Sequence, residues 1–263
     1  MYPFTLEQPT TLADAAQLAA GGAKLLAGGQ SLLASMKLRL SAPGRLADIS
    51  AIKELSGIRR DGNALVIGAM TRHIDVAGSA EVKAAIPALA QLAAHIGDRQ
   101  VRAMGTLGGS VAHNDPAACY PSAVLGLGAS VHTTQRKIAA DDFFQGMFST
   151  ALLDGEIITA ISFPLPKRAA YIKFNQPASR FALVGVFVAQ TGSGVRVAVT
   201  GAANGVFRHR GLEDALNRSF SASAAAAVAI DASELNADLH ASAAYRANLI
   251  SVLTQRAVTQ MLA

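Results

Sequence analysis

The first 56 residues alternate between stretches with helical and strand-like spacing of apolar positions. Thr11 with Asp14 three residues later is typical of a capping box ahead of an alanine-rich helix. Residues 24–27 (KLLA) predict a short strand, residues 31–40 carry apolar positions at helical spacing, and residues 46–49 predict a second strand. A strand that returns after a crossover helix is a βαβ unit, so this region predicts a small parallel pair of strands.

From residue 57 the pattern changes to that of a hairpin. Asp61-Gly62 lies between two short strand-like runs, and this dipeptide is typical of the two-residue turn of a β-hairpin. Pro87 interrupts the second of two helical stretches that follow. The remaining predicted elements of this region are helices at 71–77, 81–96 and 124–128 and strands at 130–133 and 156–163.

The segment PLPKRAA at 164–170 separates two strand-rich regions, and we place a domain boundary after residue 168. Beyond it, apolar runs predict an antiparallel meander with strands at 171–175, 181–189 and 195–200, followed by helices at 211–217, 222–232 and 243–262. The predicted fold is α+β. A two-part N-terminal domain (1–168) combines a small βαβ unit (1–56) with a mixed α/β subdomain (57–168), and a C-terminal antiparallel sheet with helices (169–263) follows.

Composition argues against a membrane protein. The chain has 263 residues, of which 51% are hydrophobic and 16% charged, but the apolar surplus is mostly alanine. No run reaches the roughly 18 apolar residues that a spanning helix needs. The first ten residues, MYPFTLEQPT, lack the basic and apolar regions of a signal peptide, so we expect a cytoplasmic protein.

Charge and cysteine content exclude several functions. The net charge is +5, but no basic block exceeds two residues and aromatic residues make up 5% with no Trp, which disfavours nucleic-acid binding. The single cysteine, Cys119, cannot form an internal disulfide or hold an iron–sulfur cluster. The histidines lack the spacing of a metal site, and Ser31 and Ser110 lie outside any GxSxG elbow, so we predict no metal and no catalytic side chain.

Two glycine-containing stretches are the candidates for ligand binding: LLAGGQSLL at 25–33 and GTLGGSVAHNDPAACYP at 105–121. A glycine pair lets the backbone approach a ligand closely, and free amides at a helix start bind anions. Taken singly, the first stretch also fits a tight strand-to-helix turn and the second an irregular loop with an Asn-Asp-Pro turn. Together they can hold the two ends of a dinucleotide.

Longer blocks around these stretches resemble a known family. LLAGGQSLLASMKLRL at 25–40 and MGTLGGSVAHNDPAACYP at 104–121 are similar to the paired flavin loops of the FAD-binding medium subunit of molybdenum hydroxylases. That family includes the carbon monoxide dehydrogenase medium subunit and the FAD portion of xanthine dehydrogenase. Further blocks match in the same order: YPF near the start, LADIS at 46–50, IGAMTRH at 67–73, DFFQGMFSTAL at 142–152 and FNQPASRFALVGV at 174–186.

The resemblance implies an FAD held between the two-part N-terminal region and the C-terminal domain. It implies that the first stretch binds the pyrophosphate, that the second encloses it, and that an apolar residue of the strand at 156–163 touches the cofactor. The residues so assigned are Leu25, Leu26, Ala27, Gly28, Gly29, Gln30, Ser31, Leu32, Thr106, Gly108, Gly109, Ser110 and Ile158.

The chain departs from the family at three positions. Cys119 stands where the family often has an aspartate that accepts hydrogen bonds from FAD. Asn175 replaces a common lysine, and Lys173, two residues away on the same strand face, is expected to substitute as the positive group. Phe181 occupies the position of a tyrosine near the flavin ring in some relatives, and a core aromatic at the start of a strand is the alternative interpretation.

The implied function is electron transfer within a complex. A large molybdopterin subunit oxidises the organic substrate, a small subunit with two [2Fe-2S] clusters relays electrons, and FAD in this chain passes them to an external acceptor such as NAD⁺, a quinone or oxygen. The implied assembly is a dimer of heterotrimers. The alternatives are a stand-alone flavin oxidase and a non-enzymatic nucleotide-binding protein.

Overall fold

The computed structural model describes residues 1–263, and the first 56 of them form a small parallel sheet with two helices. The elements are β1 (Thr5–Glu7), α1 (Leu12–Ala20), β2 (Lys24–Leu26), α2 (Leu32–Lys37) and β3 (Arg45–Asp48), followed by 3-10 turns at Ile49–Ala51 and Lys53–Leu55. The strand order is β1-β3-β2, and both pairs are parallel. The βαβ prediction is confirmed. The capping box is confirmed too, since the Thr11 hydroxyl accepts a hydrogen bond from the Asp14 N–H.

Residues 57–164 form a five-stranded antiparallel sheet with helices packed against it. The elements are β4 (Ile58–Asp61), β5 (Ala64–Gly68), α3 (His73–Gly78), α4 (Ala80–Ala85), α5 (Pro87–Ala94), α6 (Arg99–Met104), α7 (Leu107–His113), α8 (Tyr120–Gly126), β6 (Ser130–Thr133), β7 (Lys137–Ala139), α9 (Ala140–Phe143), β8 (Phe144–Gly146), β9 (Ser149–Thr150) and β10 (Ile158–Pro164). The sheet order is β4-β5-β10-β6-β7, and β8 and β9 form a separate hairpin. The predicted hairpin of β4 and β5 and the break at Pro87 are confirmed.

The last 96 residues form a four-stranded antiparallel sheet and three helices. The elements are β11 (Arg168–Asn175), β12 (Ala182–Thr191), β13 (Gly194–Thr200), β14 (Phe207–Arg208), α10 (Arg210–Arg218), α11 (Ala222–Ala226) and α12 (Ala243–Leu262). The predicted meander is confirmed, with β14 added at its edge. The apolar run in β12 is continuous because both faces of the strand are buried. Phe187 packs into the core of the middle region, whereas Val186 and Val188 pack into the core formed with the C-terminal helices.

Two sequence predictions of local structure were wrong. The alanine run at 222–232 is helical only over Ala222–Ala226, because Val228 and Ile230 pack against the C-terminal core from non-helical backbone. Tertiary burial here overrides the helix propensity of alanine. The second glycine stretch is not an irregular loop, since Leu107–His113 forms α7 with Thr106 as its N-terminal cap.

The segment after α7 ties the middle region to the C-terminal sheet. Thr200 Oγ1 lies 2.8 and 2.7 Å from the carbonyl oxygens of Pro116 and Ala118, which share its one O–H donor, and the Gly201 N–H donates to the Pro116 carbonyl. The second glycine stretch therefore begins in the middle region and ends against the last sheet. None of the helices has the length and apolar character needed to cross a membrane.

Candidate functional site

Residues 25–32, hereafter the first glycine segment, connect β2 to α2 with most of their backbone donors free. None of the five N–H groups from Ala27 to Ser31 makes a hydrogen bond within the chain. Gly29 has a φ of +70°, and the Gln30 side-chain amide donates to the Gly28 carbonyl at 3.0 Å, which closes the turn. The segment is half-buried to exposed, so this row of donors is open to an anionic ligand.

Residues 106–110, hereafter the second glycine segment, use their backbone donors differently. The Leu107 N–H donates to the Thr71 carbonyl (3.0 Å) and the Gly108 N–H to the Ala69 carbonyl (2.8 Å). The remaining two N–H groups of the first helical turn donate to the Thr106 hydroxyl and carbonyl. The start of α7 therefore has no free N–H group for an anion.

The two glycine segments meet at a seam that only glycine permits. A Cβ at Gly28 would lie 2.1 Å from the Met104 carbonyl oxygen, just before the second segment. A Cβ at Gly108 would lie 2.5 Å from the Ala69 Cβ on the opposite side. Gly109 lies beside Ala27, whose Cβ would be 3.6 Å from a Cβ at that position. The second segment is thus packed between the first segment and residues 69–73.

Two serine hydroxyls near this seam are also free. Ser31 and Ser110 make no side-chain hydrogen bond within the chain, and Ser31 does not cap α2. Ser110 is half-buried and Ser31 is exposed. By contrast, Thr106 and Gly108 are buried, so they shape the second segment from within.

His73 packs against Gly105, directly before the second segment. The sequence did not indicate this role. A Cβ at Gly105 would lie 2.6 Å from His73 Nε2, and the His73 N–H donates to the Gly105 carbonyl at 2.9 Å. Burial, with the charge of Arg102 as the second cause, lowers the pKa of His73 from 6.5 to about 4. The imidazole is therefore neutral at pH 7, because burial against the backbone disfavours its charged form.

Ala69 links the strand that begins at Ile158 to the second segment. Ala69 donates its N–H to the Thr159 carbonyl at 2.9 Å and accepts the Gly108 N–H on its own carbonyl. Ile158 is the first residue of β10 and is 5% exposed. Its side chain belongs to the hydrophobic core of the middle region, which also contains Ala69 and Leu107.

Cys119 and Lys173 lie together, but apart from the glycine seam. The Lys173 ammonium donates to the carbonyls of His95 (2.7 Å) and Arg180 (2.9 Å) and contacts Cys119 Sγ at 3.5 Å. All three ammonium hydrogens are used within the chain. Lys173 is therefore placed to act through its charge and through the turn that it holds at Arg180, and not as a hydrogen-bond donor to a cofactor.

The surroundings of Cys119 connect this pair to the seam. The neighbouring ring of Tyr120 lies 5.3 Å from the His73 ring, which in turn packs against Gly105.

The buried Tyr171 hydroxyl has no hydrogen-bond partner. Burial, followed by the charge of Cys119, raises the pKa of Tyr171 well above 10, so this hydroxyl stays protonated.

Phe181 is not a core residue, so that alternative interpretation was wrong. Its side chain is 48% exposed, and it follows Arg180, which has a φ of +62°.

A groove of about 440 Å³ lies elsewhere, between residues 203–209 and 230–235, and contains none of the predicted site residues. No three His, Cys, Asp or Glu side chains are grouped so that they can hold a metal ion.

Comparison with known proteins shows the family of the chain. Residues 2–166 match the family described as the FAD binding domain in molybdopterin dehydrogenase. The carbon monoxide dehydrogenase medium chain of Hydrogenophaga pseudoflava is 35% identical over 265 residues, which covers 94% of this chain and 89% of that protein.

Solved structures extend the match to the whole fold. Reconstituted CO dehydrogenase from Oligotropha carboxidovorans superposes with a TM-score of 0.91 at 32% identity, covering 99% of both chains. Quinoline 2-oxidoreductase from Pseudomonas putida 86 gives a TM-score of 0.90 at 28% identity and covers 99% of this chain and 97% of that one. The chain belongs to the family of FAD-binding medium subunits of molybdenum hydroxylases and is a flavoprotein subunit of an oxidoreductase.

Proposed function

We propose that FAD binds along the glycine seam, with its pyrophosphate on the backbone of the first segment. The observation that carries this proposal is the run of five consecutive unpartnered N–H groups from Ala27 to Ser31. Such a row of donors binds phosphate oxygens without a positively charged side chain. The free hydroxyls of Ser31 and Ser110 add two further donors at the same seam.

The second segment has a different part in this proposal. Its hydrogen bonds make Thr106 to Ser110 a rigid wall, and Gly109 permits close packing there, since a Cβ at Gly109 would lie 2.8 Å from Thr106 Oγ1 and 3.6 Å from the Ala27 Cβ. We assign the charge of Lys173 to the flavin end of the cofactor. The residues proposed to contact or surround FAD are Leu25, Leu26, Ala27, Gly28, Gly29, Gln30, Ser31, Leu32, Thr106, Gly108, Gly109, Ser110, Cys119, Ile158 and Lys173.

No side chain of this chain is assigned an acid or base role. When bound, FAD supplies redox chemistry in steps of one or two electrons. The chain contributes binding, orientation and a wall that excludes water from one side. His73 is uncharged near pH 7, because its pKa of about 4 keeps the ring neutral.

The proposed place of this chain is the middle of an electron-transfer sequence. It takes electrons from the [2Fe-2S] clusters of a small partner subunit and passes them to an external acceptor, while a large molybdopterin subunit oxidises the organic substrate. The similarity to medium chains of carbon monoxide dehydrogenase and of nicotine 6-hydroxylase from Paenarthrobacter nicotinovorans supports this place. We propose a dimer of heterotrimers in the cytoplasm.

We also propose that residues 1–168 form the FAD-binding domain, in subdomains 1–56 and 57–168, and that residues 169–263 form the C-terminal flavoprotein domain. The separate sheets of the three regions support this division.

The experiment is an FAD titration of the full chain followed by its visible absorption spectrum. We expect one FAD per chain and a flavin band that survives gel filtration. A colourless chain that binds no FAD, either alone or when produced together with its partner subunits, contradicts the proposal.

A further inference from the structure

Cys119 is the single cysteine of the chain, and its thiol takes part in no disulfide and no helix cap. The residue precedes α8, but its side chain makes no capping hydrogen bond. It is 5% exposed, and its Sγ lies 3.5 Å from the Lys173 ammonium nitrogen. Cys119, Lys173 and Tyr171 are hereafter the thiol cluster. The sulfur is therefore buried but not committed to a structural bond.

Backbone carbonyls hold the Lys173 ammonium beside the sulfur. It donates to the His95 carbonyl at 2.7 Å and to the Arg180 carbonyl at 2.9 Å. His95 and Arg180 are exposed and Lys173 is half-buried, so the thiol cluster lies just inside the surface. Cysteines that react with oxidants lie beside a positive charge and near solvent. The surroundings of Cys119 meet both conditions, and local opening of the exposed segments admits a small neutral oxidant.

The Tyr171 hydroxyl reaches the same place along β11. Tyr171 and Lys173 are two residues apart, so their side chains lie on the same face of the strand. Gly185 of β12 pairs with Lys173, and a Cβ at Gly185 would lie 2.6 Å from the Tyr171 hydroxyl oxygen. A glycine opposite Lys173 thus leaves room for this hydroxyl. The hydroxyl lies at the level of the strand where Lys173 contacts Cys119.

This hydroxyl is a buried donor with no acceptor. Tyr171 is 4% exposed, and its hydroxyl makes no hydrogen bond within the chain. Burial raises the pKa of Tyr171, and the charge and hydrogen-bonding capacity of Cys119 raise it further, because the two groups are neighbours. An unsatisfied buried O–H group costs free energy until an acceptor reaches it. An oxygen atom added to Cys119 Sγ is such an acceptor.

We propose that Cys119 is a site of reversible oxidation by hydrogen peroxide, and that Tyr171 and Lys173 hold the resulting sulfenic acid. The sulfur attacks one peroxide oxygen, so an S–O bond forms and the O–O bond breaks. Sulfur loses two electrons, and the second peroxide oxygen takes them up and leaves as water with the thiol proton. The oxygen on sulfur then accepts from the Tyr171 hydroxyl and from the Lys173 hydrogen that points at the sulfur.

The chain favours retention of the sulfenic acid. A sulfenic acid condenses readily with a second thiol, and the chain has none. Condensation with an amine needs a nitrogen lone pair, which the Lys173 ammonium lacks. A dithiol reverses the oxidation, because its two sulfurs form a disulfide while the sulfenic oxygen leaves as water. This inference goes beyond the proposed function, since the reaction requires no FAD.

The test exposes the full chain to hydrogen peroxide, removes the excess with catalase and then unfolds the chain in dimedone, which traps sulfenic acids. Unfolding removes any limit that burial sets on trapping. Mass spectrometry measures the trapped fraction and the irreversibly oxidised fraction at Cys119. We expect most of the oxidised Cys119 to be trapped as sulfenic acid. Dithiothreitol added before unfolding should abolish the trapped fraction.

Two matched variants separate the Tyr171 hydroxyl from general effects of burial. Tyr171→Phe removes only an unpartnered hydroxyl, so the chain should fold normally, and the sulfenic fraction should fall about fivefold, the effect of one hydrogen bond. Tyr120→Phe removes another buried, unpartnered hydroxyl, from a ring that lies against His73. In that control the sulfenic fraction should stay within about twofold of the wild type. Thermal unfolding is measured for both variants.

Three kinds of result overturn the proposal. One is a wild-type chain in which no sulfenic acid is trapped, whether Cys119 stays reduced or passes directly to sulfinic acid. Another is an equal sulfenic fraction in the wild type and Tyr171→Phe, or an equal fall in the two tyrosine variants. The third is a covalent bond between Cys119 and Lys173, found as cross-linked peptides, because it makes Lys173 a nucleophile and not a hydrogen-bond donor.

Discussion

The two glycine segments are similar in sequence and opposite in the use of their backbone. LAGGQS and TLGGS both combine a glycine pair with a hydroxyl. In the first segment five successive N–H groups have no partner in the chain, whereas in the second every N–H group from Leu107 to Ser110 is hydrogen-bonded. The first segment leaves its donors open to a ligand, whereas the second uses its donors within the chain.

The difference teaches that a glycine pair has no function by itself. Gly28 is required because the Met104 carbonyl approaches it, and Gly108 because Ala69 does. Both are glycines of close packing, but only the first segment leaves donors for a ligand. What decides between them is the backbone around them, since the carbonyls of Ala69 and Thr71 accept two N–H groups of the second segment and Thr106 accepts the other two, whereas no group of the chain accepts from Ala27 to Ser31.

The largest effect is expected from Gly28→Ala, which removes the seam on which the comparison depends. The new Cβ would lie 2.1 Å from a backbone oxygen, so the two segments must separate. We expect FAD affinity to fall by about a thousandfold, or about 4 kcal/mol. The measurement is equilibrium dialysis with FAD. Gly44→Ala is the control, because no atom lies within 4 Å of its added Cβ; equal losses in both variants would refute the seam.

An intermediate effect, a loss of folding stability, is expected at acidic pH. It arises from His73, the buried ring that packs against Gly105 beside the second segment. Unfolded His73 binds a proton below pH 6.5, but the native ring stays neutral down to about pH 4. Between these values the unfolded state holds more protons, so stability is full above pH 6.5 and falls as the pH drops. For His73 alone the loss between pH 7 and pH 5 is about 2 kcal/mol.

This loss is measured by urea unfolding at pH 7 and pH 5. His73→Gln should remove about 2 kcal/mol of the pH dependence. An unaltered pH dependence in His73→Gln would show that the ring is not held neutral under Gly105.

The smallest effects are expected from removing single hydroxyl groups. Loss of FAD affinity marks a hydroxyl that contacts the ligand, whereas loss of stability marks a hydroxyl with a structural role. Ser31→Ala and Ser110→Ala each remove a free donor, so FAD affinity should fall about fivefold, or about 1 kcal/mol, with no change in thermal stability. Thr106→Val removes the cap that accepts the Gly109 N–H, so it should lower stability by about 1 kcal/mol. FAD titration and thermal unfolding measure the two quantities. Ser50→Ala, at an exposed hydroxyl away from the seam, is the control, and a stability loss in Ser31→Ala would contradict the assignment.

Regular elements with strong local signals were predictable from the sequence. The 243–262 helix was predicted with its observed bounds, because an apolar face at helical spacing is a local property of the sequence. The Asp61-Gly62 hairpin and the parallel pair of β2 and β3 were predictable for the same reason. The alanine run was not, because Val228 and Ile230 pack against the C-terminal core from non-helical backbone.

The sequence by itself determined the fold class, the family and the two stretches of chain that carry the proposed cofactor site, because spacing, capping and ordered blocks are properties of neighbouring residues. The tertiary structure alone decided which stretch has free donors, that Lys173 spends its hydrogens on His95, Arg180 and Cys119, and that the Tyr171 hydroxyl lies beside the same thiol. The physical reason is that hydrogen-bond partners and burial come from residues distant in sequence, and no local pattern of apolar and polar positions records which distant groups will meet.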